Sequence, residues 1–191
     1  KFYGVVDGLL KDIGGGGTQD LDTIFQLTAD ENLNTWAYTT TAGSATFNKI
    51  TDTNALQGGS SYSLYLNAGA SASSSVTLTS PEFILDNIFR SDDVRQCILD
   101  LSYTYNKVAP TVTINLQGYA VVGGWTTLAT ITPVKSMDTR VRYGQAKLNL
   151  TSLIQKVRLV ITSGNLLPLQ NFTLNFDSVR LYAINKYFGI V

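Results

Sequence analysis

The amino-acid sequence predicts an all-β chain folded as an antiparallel β-sandwich of the jelly-roll type. Its clearest pattern is Cys97–Tyr105, where apolar residues alternate with polar ones as in a half-buried strand. Asn171–Tyr182 repeats this alternation and then shifts it by one residue after Ser178, as a β-bulge would do. About nine or ten such patterns are separated by short turns, without βαβ alternation, which predicts antiparallel sheets.

The composition of the 191-residue chain allows one sizeable core and excludes several classes of function. Fourteen basic and 14 acidic residues cancel, so the charge predicts no binding to nucleic acid. Without histidine, Ser-His-Asp catalysis, Cys-His catalysis and imidazole metal sites are excluded. No apolar run approaches the roughly 20 residues that span a bilayer. Cys97 is in phase with the apolar residues of its strand, which predicts a buried, inert thiol.

Residues 1–17 are interpreted as an apolar arm with a glycine hinge, and residues 18–191 as the sandwich domain. Gly14 to Gly17 interrupt any regular element, because each glycine costs backbone entropy. The arm either packs on the core as a first strand or short helix, or docks on another subunit. The side chains that would be buried by docking are Phe2, Tyr3, Val5, Val6, Leu9 and Leu10.

Strand patterns and turn residues then follow in order. Gly123-Gly124 predicts a tight hairpin, because both residues can adopt positive φ. Short helical turns are predicted within 86–96 and within Lys147–Lys156. The predicted strands are Leu21–Leu27, Thr35–Thr41, Ser44–Ile50, Tyr62–Asn67, Val76 to Pro81, Cys97–Tyr105, Val112–Leu116 leading into Tyr119–Val122, Trp125–Leu128, Val157–Ile161 and Asn171–Tyr182.

Three short motifs occur in the order found in galactose-binding-like jelly rolls. Asp30-Glu-Asn-Leu-Asn-Thr-Trp36 places a tryptophan after an early loop, and Gly59-Ser-Ser-Tyr-Ser-Leu64 opens a strand. Phe176-Asp-Ser-Val-Arg-Leu181 matches a closing Phe-Asp-x-Val-x-Leu motif. In these motifs the chain resembles the carbohydrate-binding modules attached to xylanases and related enzymes. The resemblance covers residues 25 to 183 and implies a jelly roll.

The resemblance also implies two kinds of ligand site. In that family the aspartate of the closing motif helps to hold a structural Ca²⁺, which assigns Asp177 together with Asp30 or Glu31. Alternatively, Asp177 accepts backbone N–H bonds at the bulge and binds no metal. A glycan would pack on exposed rings, for which Tyr65 and Trp125 are the candidates.

No catalytic constellation stands out, so the chain is predicted not to be an enzyme. A glycosidase needs two carboxylates facing each other across a cleft, and no acidic pair alternates along one predicted strand. Gly14 to Gly17 also lack the Gly-Lys-Ser/Thr ending of a phosphate-binding loop. No cofactor is predicted beyond the structural Ca²⁺.

Two functions remain. In the first, the protein is a structural or attachment component of a phage head or tail, which lies at the virion surface, forms a homo-oligomer and contacts other virion proteins through its arm. The chain has neither an initiator Met nor a signal-peptide pattern, so it is interpreted as a processed product or a portion of a longer one. In the second, it is an extracellular carbohydrate-binding module of a secreted glycan-active enzyme. Both functions allow a cell-surface glycan as partner.

Overall fold

The computed structural model describes residues 3–6, 9–12, 21–27, 33–51, 59–85, 94–105, 111–134 and 141–184. About three quarters of these residues belong to 14 strands, and one 3₁₀ turn spans Leu33–Thr35. The strands are β1 (Tyr3–Val6), β2 (Leu9–Asp12), β3 (Leu21–Leu27), β4 (Ala37–Thr40), β5 (Ser44–Thr51), β6 (Ser60–Asn67), β7 (Val76–Thr79), β8 (Phe83–Ile84), β9 (Val94–Tyr105), β10 (Val112–Ala120), β11 (Gly124–Ile131), β12 (Arg142–Thr151), β13 (Ile154–Ser163) and β14 (Asn171–Ile184).

Two antiparallel sheets form the sandwich, which confirms the predicted fold class. Sheet I has the strand order β12-β9-β14-β6-β5, with β3 also paired to β14. Sheet II has the order β11-β10-β13-β7-β4, with β8 also paired to β13. The inward side chains of both sheets contribute to one hydrophobic core. Among the described residues, no helix has the length and apolar character to cross a membrane.

The longest strand, β14, lies at the centre of sheet I. It pairs with β9 along one side and with β6 and then β3 along the other. Its register against β9 shifts between Asp177 and Arg180, and Ser178 adopts a φ of 51°. The predicted bulge is therefore confirmed. The extra residue lets the strand present buried apolar side chains on both sides of the shift, namely Phe172, Leu174, Phe176, Val179 and Leu181.

An aromatic cluster fills the core beside the 3₁₀ turn. The Trp36 ring centroid lies 5.1 Å from that of Phe47, 5.4 Å from that of Tyr62 and 5.9 Å from that of Phe176. These separations are typical of tilted and offset aromatic pairs. Trp36 is 9% exposed, so it belongs to the core rather than to a binding surface.

The helical turn predicted within Lys147–Lys156 is wrong, and the one predicted within 86–96 stays a prediction. The segment Lys147–Lys156 contains the end of β12, a turn at Ser152 and Leu153, and the start of β13. Leu148 and Leu150 are buried while Lys147 and Asn149 are exposed, which is the period of a strand. β12 pairs with β9 along its whole length, so local helix propensity is overridden. Residues 94–96 likewise begin β9, and residues 86–93 lie outside the described part.

The thiol of Cys97 is buried in β9, at 1% exposure, as its phase in the sequence predicted. Burial raises the pKa of Cys97 to about 11, because desolvation penalises the thiolate. At neutral pH the side chain is therefore a small core group in its unreactive form.

The arm contains a two-stranded antiparallel sheet rather than a single strand or a helix. Val5 of β1 lies opposite Leu10 of β2, and Val6 lies opposite Leu9. In the described residues this sheet is separate from sheets I and II. The glycine hinge at residues 14–17 lies outside the described part, and the division at residue 17 stays a prediction.

Replacing Phe176 by alanine tests the aromatic cluster. Phe176 is 1% exposed and contacts three other rings, so Phe176→Ala should lower the free energy of unfolding by about 3–5 kcal/mol. Urea denaturation followed by circular dichroism measures the loss. Tyr143→Ala is the control, since Tyr143 is 69% exposed and its loss should change stability by about 0.5 kcal/mol or less. Equal effects of the two changes would contradict this description of the core.

Candidate functional site

The outer face of sheet II carries a row of directly paired residues across four strands. Trp125 of β11 lies opposite Tyr119 of β10, Tyr119 opposite Lys156 of β13, and Lys156 opposite Ile84 of β8. Paired residues of antiparallel strands share one face of the sheet. Gly118, which precedes Tyr119 in β10, is buried in the core. Successive residues of a strand point to opposite faces, so Tyr119 and its paired residues lie on the outer face.

The β10–β11 hairpin brings the two rings together. Gly123 and Gly124 adopt φ values of 110° and 70°, which confirms the hairpin predicted from the Gly-Gly pair. The tight connection places Tyr119 opposite Trp125. Their ring centroids are 5.4 Å apart at an interplanar angle of 56°, a favourable tilted geometry.

An arginine from β13 packs on the indole ring. The guanidinium carbon of Arg158 lies 4.0 Å from the centroid of Trp125, which is a cation–π contact. Arg158 Nε also donates a 3.0 Å hydrogen bond to Gln117 Oε1. Two contacts from different directions therefore hold the guanidinium in one orientation.

A lysine and a glutamate complete this row. Lys156 Nζ lies 5.8 Å from the Tyr119 ring centroid and 2.9 Å from Glu82 Oε2. The hydrogen bond to Glu82 raises the pKa of Lys156, because it favours the protonated amine. We call the six residues of this surface the aromatic platform: Glu82, Gln117, Tyr119, Trp125, Lys156 and Arg158.

Neutral hydroxyl and amide groups cover the rest of the outer face. Thr130 Oγ1 donates a 2.7 Å hydrogen bond to Asn115 Oδ1 beside the platform. The polar neighbours that the strand register places on this face are Thr39, Thr77, Thr79, Thr113, Asn115, Thr127, Thr130 and Thr162. Such a surface offers hydrogen-bond donors and acceptors that carry no net charge.

The two rings predicted to bind a glycan lie on opposite faces of the sandwich. Trp125 belongs to the aromatic platform on sheet II. Tyr65 lies on the outer face of sheet I, between Thr46 of β5 and Thr173 of β14, because its neighbours Leu64 and Leu66 are in the core. One groove on either sheet therefore cannot contain both rings.

The outer face of sheet I also carries an ion pair. Arg180 Nε and Nη2 lie 3.1 Å from Asp100 Oδ1 and Oδ2 respectively, a bidentate arrangement. Burial raises the pKa of Asp100 despite the opposing influence of Arg180. This arginine is neutralised by a carboxylate.

Asp177 is buried at the β14 bulge, with 2% of its surface exposed. Its carboxylate accepts a 3.4 Å hydrogen bond from Ser178 Oγ, and its carbonyl oxygen accepts one of 3.0 Å from Ser102 Oγ. Asp30 and Glu31 lie outside the described residues, and the described part contains no group of three candidate metal-binding side chains. Of the proposed Ca²⁺ ligands, only Asp177 lies among the described residues, so the Ca²⁺ site stays a prediction.

Of the assembly residues, Tyr3, Val5, Val6, Leu9 and Leu10 belong to the β1–β2 sheet, and Phe2 lies outside the described residues. Of the platform residues, the sequence pointed to Trp125 alone and missed Glu82, Gln117, Tyr119, Lys156 and Arg158. The sequence did contain a signal for Lys156 and Arg158: they alternate with Val157 and Leu159, which places both on the polar face of one strand.

Comparison with solved structures identifies this architecture elsewhere. The enzymatically active domain of bacteriophage CBA120 tailspike protein 4 superposes with a TM-score of 0.59 and 12% identity, over 82% of this chain and 20% of the tailspike chain. The CBM22-1–GH10 modules of Clostridium thermocellum endo-1,4-beta-D-xylanase 10B, complexed with xylohexaose, give a TM-score of 0.55 and 11% identity over 85% of this chain and 29% of theirs.

A single module matches over nearly its whole length. The CBM22-1 xylan-binding domain of Paenibacillus barcinonensis Xyn10C gives a TM-score of 0.53 and 11% identity, over 88% of this chain and 99% of that domain. No protein-family model and no curated protein matches the sequence. At these identities the likeness concerns the fold, so the chain is a jelly roll of the carbohydrate-binding-module kind.

Substituting Asp177 separates a structural role from a metal site. We expect Asp177→Asn to lower the melting temperature equally in Ca²⁺ and in EDTA, because the buried carboxylate accepts hydrogen bonds at the bulge. Differential scanning calorimetry in both buffers measures this. If Ca²⁺ instead raises the melting temperature of the wild type, and Asp177→Asn abolishes that rise, then Asp177 binds the metal.

Proposed function

We propose that this domain binds carbohydrate, without catalysing a reaction, through the aromatic platform on the outer face of sheet II. The observation that carries the proposal is the pairing of Trp125 with Tyr119 beside the Arg158–Gln117 hydrogen bond. The apolar C–H faces of a sugar pack on aromatic rings, and its hydroxyl groups need polar partners close by. The platform provides both within one row of paired strands.

The arrangement of the polar groups fits this role. Arg158 takes one face of the Trp125 ring, so a sugar would pack against the remaining surface of Trp125 and Tyr119. Gln117 and Glu82 offer oxygen atoms to sugar hydroxyl groups, and Lys156 and Arg158 offer N–H donors. Because regular strands position all of these side chains except Glu82, little order has to be gained on binding.

The described acidic side chains support binding rather than hydrolysis. Apart from Asp12 and Asp22, of whose side chains nothing is described, they are Glu82, Asp100 and Asp177, and each has a partner: Glu82 pairs with Lys156, Asp100 with Arg180, and Asp177 with Ser178. Glu82 lies at sheet II, and the other two belong to strands of sheet I. A glycosidase pair would have to face one bound sugar from two sides.

We further propose that the domain serves as an attachment component of a virus particle, at the virion surface. Two observations support this proposal: the fold likeness to part of a phage tailspike, and the β1–β2 sheet, whose sequence is rich in apolar residues. In this proposal the arm binds other virion proteins or further copies of the chain, and the platform binds a host glycan. As the alternative, the domain is an extracellular module beside a catalytic domain.

Trp125→Ala tests the binding face. We expect at least about a tenfold loss of affinity for the glycan selected on an array, because the main stacking surface disappears. Isothermal titration calorimetry measures the affinity, and an unchanged melting temperature verifies the fold. Tyr65→Ala is the matched control on the opposite face and should bind like the wild type. Loss of binding in Tyr65→Ala alone would place the glycan on sheet I, and no binding to any glycan would remove the proposal.

Deleting residues 1–13 tests the arm. We expect the molar mass from light scattering to fall to that of the monomer, because the deletion removes the apolar docking surface. Val5→Ser with Leu10→Ser is a milder variant, since these residues lie opposite each other in the β1–β2 sheet. If both forms keep the mass of the intact chain, alone and with particle proteins, the arm has no role in assembly.

A further inference from the structure

We infer that the glycan bound by the aromatic platform is acidic, and that Arg158 binds a carboxylate of one of its sugars. The inference rests on the proposed function and narrows it to a substrate class. It starts from the charge on the outer face of sheet II. Among the described residues, the charged side chains on this face are Glu82, Lys156 and Arg158. Glu82 pairs with Lys156, so within the described part of this face no carboxylate balances the positive charge of Arg158.

Sheet I shows how this chain neutralises an arginine in a comparable place. Arg180 is half-buried on an outer face and forms a bidentate pair with Asp100. Arg158 is also half-buried on an outer face, but its partners in the described part are the neutral Gln117 and Trp125. Its two terminal nitrogens have no hydrogen-bond partner among the described residues. The bidentate position that a carboxylate fills at Arg180 is therefore open at Arg158.

The guanidinium is held in place before any ligand arrives. Its Nε is fixed by the 3.0 Å bond to Gln117, and its plane packs 4.0 Å from the indole centroid. A stacked guanidinium keeps its donor edge available and matches the two oxygens of a carboxylate. A carboxylate bound there lies beside Trp125 and Tyr119, where the ring of the same sugar or the next one would pack. Uronic acids and sialic acids carry such a group.

Binding of paired oligosaccharides to the intact chain tests the inference. The probes are oligogalacturonate and its carboxyl-reduced, neutral counterpart, together with sialyllactose against lactose, and neutral xylohexaose. We expect each acidic probe that binds to do so about tenfold or more tightly than its neutral partner, because a hydrogen bond to a charged group adds about 1.5–3 kcal/mol. The two acidic probes distinguish uronic from sialic acids, and a sulfated oligosaccharide tests for other anions.

Substitutions of Arg158 and the salt dependence of binding test whether Arg158 causes the preference for acidic probes. Arg158→Gln should reduce the preference for acidic probes to near unity, and Arg158→Lys should keep part of it, since lysine retains the charge but not the planar fork. Raising the salt concentration should weaken acidic binding by the wild type, a readout that needs no variant. Equal binding of acidic and neutral probes, unaffected by Arg158→Gln, would overturn the inference and leave the proposed function standing. Absence of binding by every probe and on the array would overturn both.

Discussion

The structure depends on β14, a strand that contributes core residues along almost its whole length. It hydrogen-bonds to β9, β6 and β3, so sheet I has no continuous centre without it. Burying a phenylalanine or leucine side chain contributes about 1.5–3 kcal/mol, and five such apolar side chains of β14 lie on both sides of one bulge. Without the extra residue at Ser178, the second half of the strand would turn its apolar side chains outward. The bulge is therefore a condition of the fold.

The shared core also limits where a functional site can lie. Each sheet uses its inner face for the common core, so ligand-binding groups must occupy the outer faces, the edges or the loops. The two outer faces differ in chemistry. On sheet I Arg180 pairs with a carboxylate, whereas on sheet II Arg158 lies over an aromatic ring and has no carboxylate partner among the described residues. The carboxylate of Asp100 already occupies the donor edge of Arg180, whereas Arg158 lies beside two rings with its terminal nitrogens unpaired among the described residues.

The sequence allowed the fold to be predicted because most of its signals are local. Alternation in Cys97–Tyr105 and the Gly123-Gly124 turn are both read within a few residues, and both were right. The helical turn predicted within Lys147–Lys156 failed because pairing to β9, which lies some 50 residues earlier, overrides local preference. Local patterns do not show which strands pair with each other, so pairing between distant strands could not be predicted from the sequence.

The candidate site shows the same limit more sharply. Trp125 was found because it follows a recognisable turn, but its contact with Arg158 joins residues separated by more than 30 positions. Alternation identifies one face of a strand as polar without showing which residues of other strands lie beside it. For that reason Tyr65 and Trp125 were both candidates for glycan binding, although the sandwich core separates them. Which outer face binds a ligand depends on register, and register comes from the whole set of paired strands.

The roles proposed for the platform and for the arm would reinforce each other, because assembly increases the affinity of weak binding sites. A surface with one open guanidinium and two rings makes few contacts with a sugar, so the affinity of a single domain is expected to be modest. If the arm brings several copies together, each further sugar binds at a high effective concentration, and overall affinity can rise by about 10²–10⁴ without any new contact. An attachment protein needs that combination, because many weak contacts hold a particle on a glycan-rich surface while each can still release. Assembly through the arm would then belong to the binding mechanism itself.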